Sequence, residues 1–434
     1  MHIVVEPSAL NSGRVTVPGD KSVSHRALML GAVAEGETVI SGFLRGDDCL
    51  ATLNALRQLG VQVDDTDPVA VRVSGVGLGG LTRPTAALDL GNSGTAMRLF
   101  AGLLAGQEFS TELVGDDSLS GRPMDRVIKP LAMMGARIDS SDGRPPLIIH
   151  GGSSIGSLVY RLPVASAQVK SAILLAGLYA SGDVAVIEPA VTRDHTERML
   201  RAMGANLSQG ETQIVLTPGQ ALRGIEIAVP GDLSSAAFII LAATIATDIE
   251  VTITGVGVNQ TRTGVIDVLK EMGASIEIEN VRLYGEEPVA DIVVRSASLR
   301  GIDVDPAKVS LAIDEFPVLF IAAACAEGKT RFSGIGELRV KESDRISAMA
   351  DGLRALSVPV DETDDGATVH GGKIYGGSVD SHGDHRVAMA FAVAGTVAEW
   401  AVRIEDTENV DTSFPGFAEC LQAMGAGVVQ RGTQ

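Results

Sequence analysis

Apolar and small residues recur along this chain in a fixed local order. Six segments end alike: Leu56-Arg57-Gln58-Leu59-Gly60, Leu131-Ala132-Met133-Met134-Gly135, Leu200-Arg201-Ala202-Met203-Gly204, Leu269-Lys270-Glu271-Met272-Gly273, Leu353-Arg354-Ala355-Leu356-Ser357 and Leu421-Gln422-Ala423-Met424-Gly425. Two apolar residues three apart share a helical face, and a glycine just past them marks a helix C-terminus. In most cases an alternating run follows, such as Arg137-Ile138-Asp139 or Ser275-Ile276-Glu277-Ile278, which predicts a strand. A second helical series precedes these endings, at about 24–34, 94–105, 167–180, 234–246, 315–326 and 385–398. These helices are apolar nearly all round, as in Ala236-Ala237-Phe238-Ile239-Ile240-Leu241-Ala242-Ala243, so each has to be buried. The period of roughly 67 to 84 residues is too long for a solenoid and predicts six copies of an α/β unit, each with one buried and one half-exposed helix.

One tetrapeptide occurs twice, Val17-Pro18-Gly19-Asp20 and Val229-Pro230-Gly231-Asp232, each time between a β-rich run and a helical one. Proline and glycine end a strand and turn the chain, and aspartate caps the helix that follows. Two such crossings predict a domain of residues 20–229 inserted into a discontinuous domain of 1–19 plus 230–434. Three units fall on each side, so the expected fold is α/β: two similar domains with buried parallel helices and outer sheets. Parallel helices bring their N-termini to one end, where unpaired amide donors and dipoles attract anions. Two such ends facing each other would form a cleft for an anionic ligand.

Composition narrows the partners. The chain has 434 residues, 45% of them hydrophobic and only 3% aromatic, so large cores are expected to be built from Ala, Val, Leu, Ile and Gly. A formal charge of -19 argues against nucleic-acid or anionic-membrane partners, though not against a small anion in a locally basic cleft. Cys49, Cys325 and Cys420 are too scattered for a disulfide framework, and neither a signal pattern nor a membrane-length apolar run occurs. A cytoplasmic protein is expected.

The residues at the predicted helix starts carry the chemistry. Lys21, Ser22, His25 and Arg26 open the first; a lysine beside a hydroxyl at a helix N-terminus suits phosphate or carboxylate, and a solvated lysine with a capping serine would look the same. Gly91-Asn92-Ser93-Gly94-Thr95-Ala96-Met97-Arg98 opens the second, where glycines permit close approach of a ligand or simply a tight turn. Arg122, within Gly121-Arg122-Pro123-Met124, offers a planar fork for an anion. Ser166-Ala167-Gln168-Val169-Lys170-Ser171 supplies a capping serine and an uncharged amide, and Thr192-Arg193-Asp194-His195-Thr196 adds an Arg and a His. Asp314-Glu315-Phe316-Pro317 brings a carboxylate fit either to cap a helix or to deprotonate a hydroxyl. Lys341-Glu342-Ser343-Asp344-Arg345 and Gly383-Asp384-His385-Arg386 complete the set. Their recurrence at equivalent ends of repeated units favours a transferase of anionic ligands.

Taken in order, Pro18-Gly19-Asp20-Lys21-Ser22, His25-Arg26, Gly91 to Thr95, Arg122-Pro123-Met124, Ser166 to Ser171, Arg339-Val340-Lys341-Glu342-Ser343-Asp344-Arg345 and Asp384-His385-Arg386 resemble the 5-enolpyruvylshikimate-3-phosphate synthase family over essentially the whole chain. The resemblance implies transfer of the enolpyruvyl group of phosphoenolpyruvate to the 5-hydroxyl of shikimate 3-phosphate, on the way to chorismate and the aromatic amino acids. It also implies two domains of three βαβαββ units closing over the substrates. By the same resemblance, Ser22, Arg26, Ser166, Ala167 and Lys341 hold the shikimate phosphate region, and Lys21, Gln168 and Asp314 also face that substrate. Phosphoenolpyruvate meets Lys21, Gly94, Arg122, Gln168, Arg345 and Arg386. Asp314 takes the proton of the attacking hydroxyl, while Lys21 and Glu342 are the candidates for proton exchange at the methylene carbon. Addition then elimination of this kind implies no metal and no organic cofactor, and a monomer suffices.

Some family members carry an asparagine where Glu337 stands and a lysine where Thr412 stands, so one phosphate contact is expected to be weaker or differently supplied. Leu99 replaces a proline found behind the Gly94 turn in some members. Glyphosate competes for the phosphoenolpyruvate site in this family, and Gly94 leaves the backbone bare enough to admit it. The sister transferase acting on UDP-N-acetylglucosamine typically has Lys-Asn in place of Lys21-Ser22 and a loop cysteine, which 114–121 lacks. A non-catalytic scaffold would be expected to lose the charged helix starts.

Overall fold

A computed structural model describes residues 1–432 and divides them into two units. One comprises Met1–Pro18, Pro230–Arg282 and Pro288 to the end of the described chain, and the other Gly19–Val229 with Leu283–Glu287. The boundary read from the sequence had placed Gly19 and 283–287 in the discontinuous unit. Gly19 instead lies against Gly42 and Val229, where a Cβ on it would stand 1.9 Å from the Gly42 carbonyl oxygen. Glu286 and Glu287 group with Arg198 and His195: Arg198 Nη1 donates to the Glu286 carbonyl at 2.7 Å, and His195 Nδ1 lies 2.7 Å from Glu287 Oε1.

Each unit is built around three inner helices, Lys21–Ala32, Gly94–Leu104 and Ala167–Gly177 in the inserted unit, and Leu233–Ile245, Phe316–Cys325 and His385–Gly395 in the other. The half-exposed outer helices are Asp47–Gln58, Asp125–Met133 and His195–Ala202, and then Gly264–Glu271, Arg345–Ala355 and Phe417–Ala423. The residue just past all six outer helices is left-handed: Gly60, Gly135, Gly204, Gly273, Gly425, and Ser357 at φ 66°. Five are glycine because that conformation costs glycine nothing. A reversing strand starts directly after each.

In the second repeat, strands Leu88–Asp89, Thr111–Val114, Arg144–His150 and Arg137–Ser141 lie side by side in that order, the first pair parallel and the rest antiparallel. The third repeat copies this with Leu158–Arg161, Val184–Ile187, Gln213–Thr217 and Asn206–Gln209. Two repeats borrow their first strand across the crossings. Glu226–Ala228 pairs with Glu35–Ser41 beside the first inner helix, and Gly13–Val15 pairs with Glu250–Gly257 beside the fourth. His2–Glu6 fills a further place, between Val402–Glu405 and Gly427–Arg431. The sheet around Lys329–Ser333 has three strands, with isolated parallel bridges from Arg300 to Glu327 and from Asp303 to Arg331 where the fourth would run. Among the described residues no helix is long and apolar enough to cross a membrane.

Each unit has one continuous core formed by its inner helices and the inward faces of its sheets. Among the polar groups buried in the inserted unit are Lys170 and His25. Lys170 is wholly buried, with its Nζ 2.9 Å from Glu188 Oε2 and 2.7 Å from Glu197 Oε1. Burial disfavours its charge, yet the two carboxylates outweigh that and hold its pKa above the usual lysine range. His25 is also buried, with Nδ1 2.8 Å from Thr52 Oγ1 and Nε2 3.4 Å from Ser93 Oγ. Burial first, then Lys21 and Arg26, press its pKa well below 6.5, so it is neutral at pH 7.

Lys170→Met leaves two buried carboxylates facing each other, and urea unfolding is expected to show a loss of about 3–5 kcal/mol; a loss below ~1 kcal/mol would mean the cluster relaxes without its cation. For His25 the linkage runs toward acid. Below pH 6.5 the unfolded chain gains a proton that the folded chain refuses, so stability is lost as pH falls, by up to about 1.4 kcal/mol per unit until the depressed folded pKa is reached. Unfolding at neutral and mildly acidic pH should show a steeper decline in the native protein than in His25→Asn, and equal slopes would contradict it.

Candidate active-site residues

The inserted unit gathers its site residues through the first turns of its inner helices. Asp20 accepts from the Val23 amide at 2.9 Å and so starts the first helix at Lys21. Lys21 Nζ is paired with Asp48 Oδ2, which the outer helix Asp47–Gln58 brings up from beneath. Arg26 is buried and spanned by three partners: Nε donates to Thr196 Oγ1 at 2.7 Å, Nη2 to Ser171 Oγ at 2.9 Å and Nη1 to the Ser22 carbonyl at 2.9 Å. Burial lowers its pKa to about 10, still well above neutral pH, so it remains a fixed cation.

Ser93 caps the second helix through the Ala96 amide at 3.1 Å, and Ser166 caps the third through Val169 at 3.4 Å. Gln168 ties these helices together, accepting from Arg98 Nη1 at 2.6 Å and donating through Nε2 to Thr95 Oγ1 at 2.9 Å. Arg122 Nη2 donates to Asn92 Oδ1 at 2.6 Å, and its Nη1 stands beside Gly94. A Cβ on Gly94 would come within 2.9 Å of Arg98 Nη1 and 3.1 Å of Arg122 Nη1. Leu99 is wholly buried in an unbroken helix, so the turn before it is set by the Ser93 cap. The structure thus brings Lys21, Ser22, Arg26, Gly94, Arg122, Ser166, Ala167 and Gln168 to inner-helix starts of one unit.

In the other unit the acids and bases alternate. The inner helix Phe316–Cys325 has Glu315 as N-cap, so Asp314 lies one residue too early to cap it. Asp314 Oδ1 lies 3.6 Å from Lys341 Nζ and 3.5 Å from Arg345 Nη1. Arg345 also meets Glu342 Oε2 at 2.6 Å and Asp384 Oδ2 at 2.7 Å, although its side chain is only 1% exposed. Burial opposes the Arg345 charge, and Asp384, Glu342 and Asp314 together more than offset it and raise its pKa. Burial likewise opposes the charge of Asp384, and Arg345 overcomes it. Arg386 Nη1 donates to the Asp314 carbonyl at 3.1 Å.

Arg339 presents Lys341 and Glu342 by pinning their loop, with Nη1 on Asp344 Oδ2 at 2.6 Å and Nη2 on the Thr363 carbonyl at 2.7 Å. Thr412 donates its hydroxyl to the Asn409 carbonyl at 2.6 Å, inside the 3-10 turn Glu408–Thr412, and so is engaged locally. Glu337 sits in the turn Gly336–Val340. Asp48, Arg98, Thr196 and Glu315 were not assigned roles from the sequence. Arg98 was legible in principle, being one helical turn beyond Gly94, whereas Asp48 and Thr196 reach their partners only through tertiary packing.

The EPSP synthase (3-phosphoshikimate 1-carboxyvinyltransferase) family matches residues 5–421. The 3-phosphoshikimate 1-carboxyvinyltransferase of Alkalilimnicola ehrlichii is 56% identical over 432 residues, covering 99% of this chain and 97% of that protein. Its counterpart in Legionella pneumophila is 52% identical over 417 residues, covering 96% of each. A solved structure of EPSP synthase from Acinetobacter baumannii superposes with a TM-score of 0.88 at 50% identity, covering 99% of this chain and 100% of that one. With a family match over nearly its whole length and relatives above half identity, the chain belongs to the EPSP synthase family.

Proposed function

We propose that the protein joins phosphoenolpyruvate to shikimate 3-phosphate, forming 5-enolpyruvylshikimate 3-phosphate and phosphate for chorismate and aromatic amino acid synthesis. The observation that carries the division of roles is Asp314: a carboxylate set between Lys341 and Arg345. In this reading Asp314 takes the proton of the 5-hydroxyl as its oxygen bonds to C2 of phosphoenolpyruvate. The methylene carbon receives a proton from Lys21 or Glu342, giving a tetrahedral adduct. Loss of a methyl proton to the same group then expels phosphate and restores the double bond. The leaving group travels with phosphoenolpyruvate, so the scheme calls on no cofactor.

Ser22, Arg26, Ser166, Ala167 and Lys341 serve the shikimate phosphate region. Arg122, Arg345 and Arg386, with Lys21, Gly94 and Gln168, serve phosphoenolpyruvate. Their partners support the assignment, because nearly every one is already held by a neighbour and pays little reorganisation on meeting an anion. A single chain carries both sets, and a cytoplasmic monomer is the simplest form.

Purified protein given both substrates is expected to release phosphate and yield the enolpyruvyl ether by mass spectrometry; product from UDP-N-acetylglucosamine alone would reverse the assignment. In the same assay Asp314→Asn should cut kcat by roughly 10²- to 10⁴-fold with a far smaller change in the KM for phosphoenolpyruvate. Near-normal turnover would place the base elsewhere.

Gly94→Ala forces the Arg98 and Arg122 guanidinium groups aside, since its Cβ would lie 2.9 and 3.1 Å from them. The inhibition constant of glyphosate is expected to rise by more than the KM for phosphoenolpyruvate, the difference amounting to about 1–3 kcal/mol as for overpacking. Equal weakening of both ligands would mean that the turn itself had distorted.

A further inference from the structure

Five of the six inner helices are capped by the side chain of their own N-cap residue: Asp20, Ser93, Ser166, Asp232 and Asp384. Among the described residues the fifth is the exception, because Glu315 occupies the N-cap position without a side-chain cap bond. Its carboxylate turns into the unit instead, with 1% of the side chain exposed. Ser234 Oγ donates to Oε1, Arg386 Nη1 lies 3.6 Å from the same oxygen, and Arg262 Nη2 lies 3.9 Å from it. Arg262 is itself anchored, donating to Ser234 Oγ at 2.7 Å and to Asp232 Oδ1 at 3.0 Å. A buried carboxylate is costly unless paired, and this position also forgoes the stabilisation of a cap. What the arrangement achieves is to fix Arg386, whose Nη1 is held by the Asp314 carbonyl at 3.1 Å on one side and faces Glu315 on the other.

We propose that Glu315 is a positioning residue for phosphoenolpyruvate: without touching the substrate, its carboxylate sets the orientation in which the Arg386 guanidinium receives the anion. The proposal rests on the reading of Arg386 as a phosphoenolpyruvate ligand. A purely structural Glu315, serving only to neutralise Arg262, would affect stability and leave substrate affinities alone.

Glu315→Gln keeps the size and an acceptor for Ser234 but removes the charge. It is expected to raise the KM for phosphoenolpyruvate by roughly tenfold while that for shikimate 3-phosphate stays within about twofold. Ser234→Ala, which removes the hydroxyl that fixes Oε1, should raise the same KM by a smaller factor, and it carries the test if Glu315→Gln fails to fold. In an Arg386→Lys background, Glu315→Gln should add little, because its effect passes through the guanidinium. Full multiplication of the two effects, or an unchanged KM for phosphoenolpyruvate in Glu315→Gln and Ser234→Ala while Arg386→Lys raises it, overturns the role of Glu315 alone. An unchanged KM in Arg386→Lys overturns the reading of Arg386 and this proposal with it, and native protein that forms no enolpyruvyl ether overturns the function itself.

Discussion

Within each unit, three nearly apolar helices are buried with their N-termini at a common end, and much else follows from that constraint. The contacts between first turns establish the alignment: Gln168 with Thr95 and Arg98, His25 with Ser93, and Ser234 with Glu315. Aligned helices stack unpaired amides and positive dipole ends together, an arrangement that is unfavourable unless anions or acceptors meet it. Aspartates and serines at the N-caps satisfy part of that demand in every inner helix but the fifth. Anionic ligands of the kind proposed above would suit the remainder, so structural caps and the proposed site residues are neighbours in sequence.

The two units meet the constraint differently. In the inserted unit Arg26 rests on two hydroxyls and a carbonyl, while Lys21 at the same helix start is paired with the Asp48 carboxylate. The other unit alternates acids and bases: Asp232, Arg262, Glu315 and Arg386 in one run, Asp314, Arg345, Glu342 and Asp384 in another. There the charges fix one another's geometry, which is what proton transfer requires of its donor and acceptor.

The repeat was legible because a buried helix with no polar face and a left-handed residue after each outer helix leave marks in the linear sequence. Even the variant ending at Ser357 adopts the left-handed turn that its five glycine counterparts adopt. The helix starts were legible for the same reason. What the sequence did not disclose is tertiary in origin. Glu315 reads as an ordinary first-turn acid until Ser234, eighty-one positions earlier, is seen to donate to it. Asp314 reads equally as a cap or as a base until the N-cap position of the helix beginning at Phe316 is found to be Glu315. Asp48 is one of two adjacent acids opening an outer helix, and only packing selects it as the partner of Lys21.

The crossings show how one short motif serves two purposes. Each Val-Pro-Gly-Asp copy ends a borrowed strand and, at its aspartate, caps an inner helix belonging to a different repeat. The strand before Lys21 therefore completes the sheet of the helix Leu233–Ile245, and the strand before Leu233 completes the sheet of the helix Lys21–Ala32. The sheet beside Leu233–Ile245 takes strands from both sides of the inserted segment, so it is complete only after the chain has returned through the second crossing, whereas the sheet beside Lys21–Ala32 lies wholly between the crossings. The Asp232 amide donates to the Pro18 carbonyl at 2.8 Å, and the Val229 amide to the Ser41 carbonyl at 2.9 Å, so the backbone is held on each side of the turn. Gly19 allows this closeness, since any side chain there would strike the Gly42 carbonyl. Because Lys21 follows its cap directly, its position is tied to this same backbone. The placement of Lys21 is thus set by the same turn that ends the strand Gly13–Val15 and by the aspartate that caps its helix.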